Sequence, residues 1–178
     1  GLAGDCAVAT IEQRRVALDQ VELPAEIRSV GKPELGDLVV KSGRTTGVTH
    51  GLVSRVECVF KLAYADVGEQ MIGGFEIEPS PAHPAPEDEI SRGGDSGAAW
   101  IAVDPDGAPT NVMLGLHFGG DAEGAPGEIA LACYAHSVFQ KLEIEPYAPG
   151  AEPLLPGLPP ADEALRRGFA ADFLAFPV

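Results

Sequence analysis

A serine hydroxyl acts as a nucleophile only when the chain presents it openly and supplies a base, together with donors for the charge that develops on the substrate. Ser96 is placed for presentation. It stands in Ser91-Arg92-Gly93-Gly94-Asp95-Ser96-Gly97-Ala98-Ala99-Trp100, with glycines on both sides, an aspartate directly before it and a small apolar run directly after it. Glycine permits backbone turns that other residues resist. The stretch therefore reads as a sharp turn that exposes a hydroxyl and then drops into a buried strand. A glycine-rich β-turn that merely happens to hold a serine has the same local look, so the flanking elements decide. Histidine is the commonest base for such chemistry, and the chain has four: His50, His83, His117 and His136. His117 lies in a patterned apolar strand ending in glycines, Val112-Met113-Leu114-Gly115-Leu116-His117-Phe118-Gly119-Gly120. The other three read as surface or strand residues, and His50 has no cluster of metal-ligating neighbours around it.

The elements that must position the turn are strands. Gly4-Asp5-Cys6-Ala7-Val8-Ala9-Thr10-Ile11 sets an acid before a short alternating apolar segment. Residues 12–36 read as a polar connector, since Pro24 interrupts any helix beginning before it and Gly31, Pro33 and Gly36 punctuate its end. From Asp37 onward the pattern is β: strands are expected at Leu38–Lys41, Val48–Val53, Ser54–Leu62, Gln70–Ile77, Ala98–Val103, Val112–Gly120 and Ile129–Ala135. A proline- and acid-rich loop, Glu78–Glu89, leads through Ile90 into the serine turn. Asp104-Pro105-Asp106-Gly107 is a hairpin turn by composition and lacks the ligand spacing of a calcium loop. His136–Leu142 closes the patterned region as a helix.

Taken together, these landmarks resemble the trypsin-like (chymotrypsin-fold) serine peptidases of the bacterial type. Gly-Asp-Ser-Gly at 94–97 resembles that family's nucleophile loop; Asp5-Cys6-Ala7-Val8-Ala9 resembles its Asp-x-Ala-x-Ala segment, about 90 residues before the serine; Lys41-Ser42-Gly43-Arg44-Thr45-Thr46-Gly47 resembles the opening of its second barrel. The resemblance covers residues 5–12 and about 37–145. It implies an all-β fold, an antiparallel β-barrel of the double-barrel type: residues 1–12 as the last strand of the first barrel, 13–36 as the inter-barrel connector, 37–145 as the second barrel with a C-terminal helix, and 146–178 as a Pro-rich tail. It implies Ser96 as nucleophile, the N–H groups of Gly94 and Ser96 as the oxyanion hole, and Asp5 as the residue that orients a catalytic histidine. Ser91, His117, Phe118 and Gly119 then line the substrate wall. His117 with Ser91 resembles the pocket that holds a Glu or Gln side chain in glutamate-specific members, while a histidine packed in the barrel is the plainer alternative. A preference for basic side chains is not implied, because Ile90 stands where such members keep an acid.

The resemblance also exposes a gap. The family's histidine comes before the aspartate, and the four residues preceding Asp5 contain none. The expected activity is therefore a serine endopeptidase whose histidine is supplied by an N-terminal half of the same protease, with a peptide or protein as substrate. The alternative is a peptidase-like module that keeps the cleft for binding. Residue order argues against other serine hydrolases: residue 98 is alanine, so Gly-x-Ser-x-Gly fails for an α/β-hydrolase, and a subtilisin-like order of Asp5, His50 and Ser96 lacks the alternating strands and helices of that sheet.

Composition narrows the partners. The formal net charge is −15, which repels nucleic acid and anionic lipid. No apolar run approaches the roughly 20 residues of a membrane helix. Cys6, Cys58 and Cys133 are widely spaced, with neither a zinc signature nor a disulfide framework, a pattern that slightly favours a cytoplasmic setting. No cofactor or metal is expected. Residues 146–160 hold six of the sixteen prolines and read as an extended segment, after which Leu165, Phe169 and Phe173 mark one face of a short helix over Ala161–Phe173.

Overall fold

A computed structural model describes residues 4–10, 18–65, 67–121 and 128–147 of the chain. Its strands, in order, are β1 (Asp19–Gln20), β2 (Leu23–Glu26), β3 (Ser29–Val30), β4 (Leu38–Gly43), β5 (Gly47–Tyr64), β6 (Gly68–Pro79), β7 (Ala99–Val103), β8 (Pro109–Gly120) and β9 (Ala130–Tyr134), followed by helix α1 (Ala135–Leu142). Neighbours run β8-β7-β4-β5-β6-β9, and β9 pairs back onto β8, so six antiparallel strands close a barrel. The expected all-β antiparallel barrel with a C-terminal helix is the fold observed. Closure leaves these strands without a free edge. β3 adds a short parallel pairing on β8, Ser29 opposite Val112 and Val30 opposite Met113, just before β9 takes over that side of β8 at Gly115.

Side chains alternate across each strand, and two buried clusters follow from that alternation. One draws Val39, Val53, Phe75, Ile77, Trp100, Leu114, Ala130 and Ala132 from all six strands and fills the barrel interior. The other holds Val40, Ile72, Ile101, Met113, Leu116 and Cys133, covered by Leu23 and Ala25 of β2 and by Ala135 and Val138 of α1. The β1–β2 hairpin is thus more than a connector: its apolar residues cap the outer face of the barrel.

Two expected elements differ. Val48–Val53 and Ser54–Leu62 are one strand, β5, carrying irregularities in its pairing with β6 between Val53 and Arg55 and between Arg55 and Cys58. Glu57 sits at φ 58° inside the second of them, and its N–H donates to the Tyr134 hydroxyl at 2.6 Å, which is the extra residue of a bulge. Residues 6–10 form no strand among the described residues; Asp5 N–H meets the Cys133 thiol at 3.2 Å instead of a ladder carbonyl. The tail from residue 148 and the helix expected over Ala161–Phe173 lie outside the described residues. No described helix is long and apolar enough to cross a membrane.

Candidate active site

The turn around Ser96 is anchored by Asp95, which points back into the protein and is 1% exposed. Its carboxylate accepts five hydrogen bonds. Thr45 N–H and Thr46 N–H reach Oδ1 at 2.7 and 3.2 Å, while the Thr46 hydroxyl at 2.6 Å, Arg92 N–H at 3.1 Å and Lys41 Nζ at 3.2 Å reach Oδ2. Three of these donors sit in Thr45 and Thr46, in the hairpin turn between β4 and β5. That turn fits against the serine loop because residue 43 is glycine: a Cβ there would lie 2.5 Å from the Asp95 carboxyl carbon. Burial pushes the Asp95 carboxyl up, but the Thr46 hydroxyl, the backbone donors and Lys41 outweigh it and hold the group at about 2.

Lys41 is the buried cation of this arrangement. It shares the strand face of Val39 and is fully buried in the barrel, with its ammonium 2.8 Å from the Thr46 hydroxyl and 5.5 Å from the Trp100 ring centroid. Burial pushes its pKa down, and the Asp95 carboxylate pulls it the other way. His117 belongs to the same interior layer: it is 3% exposed, edge-on to Trp100 at 6.2 Å, and its Nδ1 has no hydrogen-bond partner. Burial first, then the Lys41 charge, lowers its pKa to about 3 against the opposing pull of Asp95, so the imidazole is neutral at pH 7.

The backbone of the loop is equally constrained. Asp95 N–H donates to Arg92 C=O at 3.0 Å, and Gly94 has φ +104°; a positive φ at the third residue makes 92–95 a type II turn. Past the serine, Ala98 N–H donates to Asp95 C=O, Gly97 N–H donates to His117 C=O at 2.8 Å, and His117 N–H donates to Ala98 C=O at 2.9 Å. Ser96 is thereby fixed from both sides and exposed. Among the described residues, the N–H groups of Gly94 and Ser96 have no acceptor. Ser96, Gly94 and the β8 residue His117 are thus tied into one unit.

The remaining candidates are distributed around it. Ser91 N–H and Ile90 N–H both donate to Glu128 Oε1, at 3.0 and 2.7 Å, and the Thr49 hydroxyl donates to Ile90 C=O at 2.8 Å. Ser91 Oγ lies 2.8 Å from where a Gly120 Cβ would stand, so Ser91 faces the end of β8. Phe118 packs edge-on against Phe60 at 5.8 Å, and Gly119 adjoins the irregularity in the β8–β9 pairing. Asp5 stands elsewhere: its Oδ2 accepts from the Tyr64 hydroxyl at 2.7 Å, in an open depression of about 420 Å³ lined also by Cys6, Gln70 and Ile72. No described contact joins Asp5 to the Ser96 turn. His50 and His83 stack on each other with ring centroids 4.6 Å apart, and no described contact joins them to the Ser96 turn. Sequence reasoning missed Lys41, Thr45, Thr46 and Glu128 as parts of the site.

No protein-family model matches the chain, and no curated protein does. Solved structures show its fold. It is similar to Cellulomonas bogoriensis chymotrypsin, with a TM-score of 0.50 and 19% identity over 69% of this chain and 56% of that one. It is also similar to a glutamic acid specific serine protease, with a TM-score of 0.50 and 23% identity over 81% of this chain and 63% of that one. The chain has the chymotrypsin-like barrel fold and spans less than two thirds of the length of either structure.

Proposed function

We propose that this chain is the nucleophile-bearing part of a serine endopeptidase of the chymotrypsin-like fold, with a peptide or protein as substrate. The observation that carries the reading is the pair of turns at 92–95 and 95–98, which, among the described residues, leave the N–H groups of Gly94 and Ser96 without acceptors beside an exposed serine hydroxyl. In this mechanism Ser96 Oγ attacks the peptide carbonyl, its proton passes to a histidine, and the carbonyl oxygen becomes an anion held by Gly94 N–H and Ser96 N–H. The leaving amine takes that proton, and water then releases the acyl group from Ser96. The histidine comes from an upstream N-terminal half of the protease, and Asp5 orients it. Residues 1–12, 13–36, 37–145 and 146–178 take the parts of first-barrel strand, connector, second barrel and tail.

β8 runs past the start of β7, whose pairing begins at Ala99 opposite Leu116, so the side of Phe118 and Gly119 away from β9 has no ladder partner among the described residues and can take substrate backbone, and Ser91 and His117 supply the side-chain pocket. One of the similar structures is glutamic acid specific and uses a histidine triad in substrate binding, which agrees with a role for His117. Glu128 argues for an uncharged glutamine over glutamate here, because its carboxylate already occupies the N–H groups of Ile90 and Ser91 and repels a second one. The test is hydrolysis of peptide libraries by this chain combined with its upstream half. Cleavage after glutamine that falls by at least about 10³ when the upstream half is withheld supports the reading; peptide binding without turnover in the combined protein favours the binding module.

A further inference from the structure

We propose that Thr45 is a positioning residue for the oxyanion hole, holding the Gly93–Gly94 peptide in the one orientation that leaves Gly94 N–H available. The inference rests on the reading of Gly94 and Ser96 N–H as that hole. A turn whose two central residues are both glycine accepts either a type I or a type II geometry, which differ by a half-turn of the central peptide. Glycine at 93 and 94 imposes no choice of its own, and a Cβ at Gly93 would meet nothing within 4 Å. The choice therefore comes from outside the turn. The Thr45 hydroxyl donates to Gly93 C=O at 2.9 Å, and in a trans peptide the N–H points opposite to the C=O. Pinning the carbonyl toward Thr45 thus turns Gly94 N–H away from it, to where no described group accepts it. With the peptide turned over, Gly93 C=O would face the substrate oxygen and repel it.

Thr45 is itself held, since its N–H donates to Asp95 Oδ1 at 2.7 Å. The hydroxyl and the buried carboxylate are two arms of one clamp: Asp95 fixes the end of the turn, and Thr45 sets the face of its central peptide. Gly94 also needs to be glycine on this account, because a Cβ there would lie 2.5 Å from Thr45 Oγ1 and φ is +104°.

The test is a pair of crystal structures of the chain, Thr45→Val and Thr45→Ser, with the rate of Ser96 labelling by a fluorophosphonate measured in both. Valine keeps the shape and deletes the donor; serine keeps the donor. The expected result is a turned-over Gly93–Gly94 peptide, with negative φ at Gly94, as the main conformer in Thr45→Val. Where the unsubstituted protein labels, Thr45→Val slows labelling about tenfold and Thr45→Ser restores both the peptide orientation and the rate. Gly94 remaining at positive φ in Thr45→Val, or turning over equally in Thr45→Ser, overturns the proposal. Should Ser96 of the unsubstituted protein, supplied with its histidine, not label, the peptidase reading fails, while the crystal structures still decide what Thr45 does to the peptide.

Discussion

Lys41 and Asp95 form the residue-scale foundation of the site, with both side chains fully buried and 3.2 Å apart. Taking two charges from water costs several kcal/mol per ion, which their attraction and hydrogen bonds offset. Removing Lys41 leaves the Asp95 carboxylate buried with its four other hydrogen bonds but without a counter-charge. Lys41→Met is therefore expected to destabilise the protein by about 3–5 kcal/mol, measured by urea unfolding at pH 7; a loss under about 1 kcal/mol would show that the ion pair is not what anchors the loop. Lys41 was only half legible from the sequence. It closes the strand expected over Leu38–Lys41, and nothing in that run singles it out. Period-two alternation puts it on the face of Val39, but whether that face looks inward depends on barrel closure, which no local pattern reveals. Ser96, by contrast, declares itself through its flanking glycines.

At the scale of elements, β8 is where structure and titration meet. It pairs with β7 on one side and β9 on the other, which leaves the His117 imidazole inside the barrel. With a folded pKa of about 3 against an ordinary value near 6.5, the unfolded chain binds a proton that the folded chain refuses. Stability then rises with pH across that window and is lost as pH falls from about 6.5 toward 3. Asp95 adds loss of the same sign lower down, since its depressed pKa contributes stability above about 3.9 that disappears toward 2. Urea unfolding free energies between pH 7 and pH 4 are expected to fall for the unsubstituted chain and to fall less for His117→Leu; parallel curves would place the acid sensitivity elsewhere. Strand positions were legible because β-branched runs and Gly or Pro punctuation mark them. The continuity of β5 was not: at the irregularity between Val53 and Arg55 the more buried positions pass from odd (Thr49, Gly51, Val53) to even (Val56, Cys58, Phe60), breaking the alternation that would have marked one long strand.

For the whole molecule, the pairing of β8 with β9 closes the barrel and brings three separate stretches together: the β4–β5 turn with Thr45 and Thr46, the serine loop, and the chain at Glu128. That meeting was out of reach of the sequence, since every contact in it spans more than 35 positions, and so the sequence singles out Ser96 and Gly94 but not Thr45 and Glu128. The Asp5 carboxylate accepts from Tyr64, and no described contact joins it to the Ser96 turn; its proposed part in orienting a histidine rests on the sequence resemblance. On the proposed function, Ser96 is a nucleophile in a prepared oxyanion hole, activated by a histidine from upstream. Intact-mass measurement after treatment with a fluorophosphonate, on the chain combined with its upstream half and on the Ser96→Ala variant, tests it most directly. The expected result is one adduct, on Ser96, lost in Ser96→Ala and slowed by at least about 10³ when the upstream half is absent; an unlabelled Ser96 in the combined protein would overturn the peptidase reading.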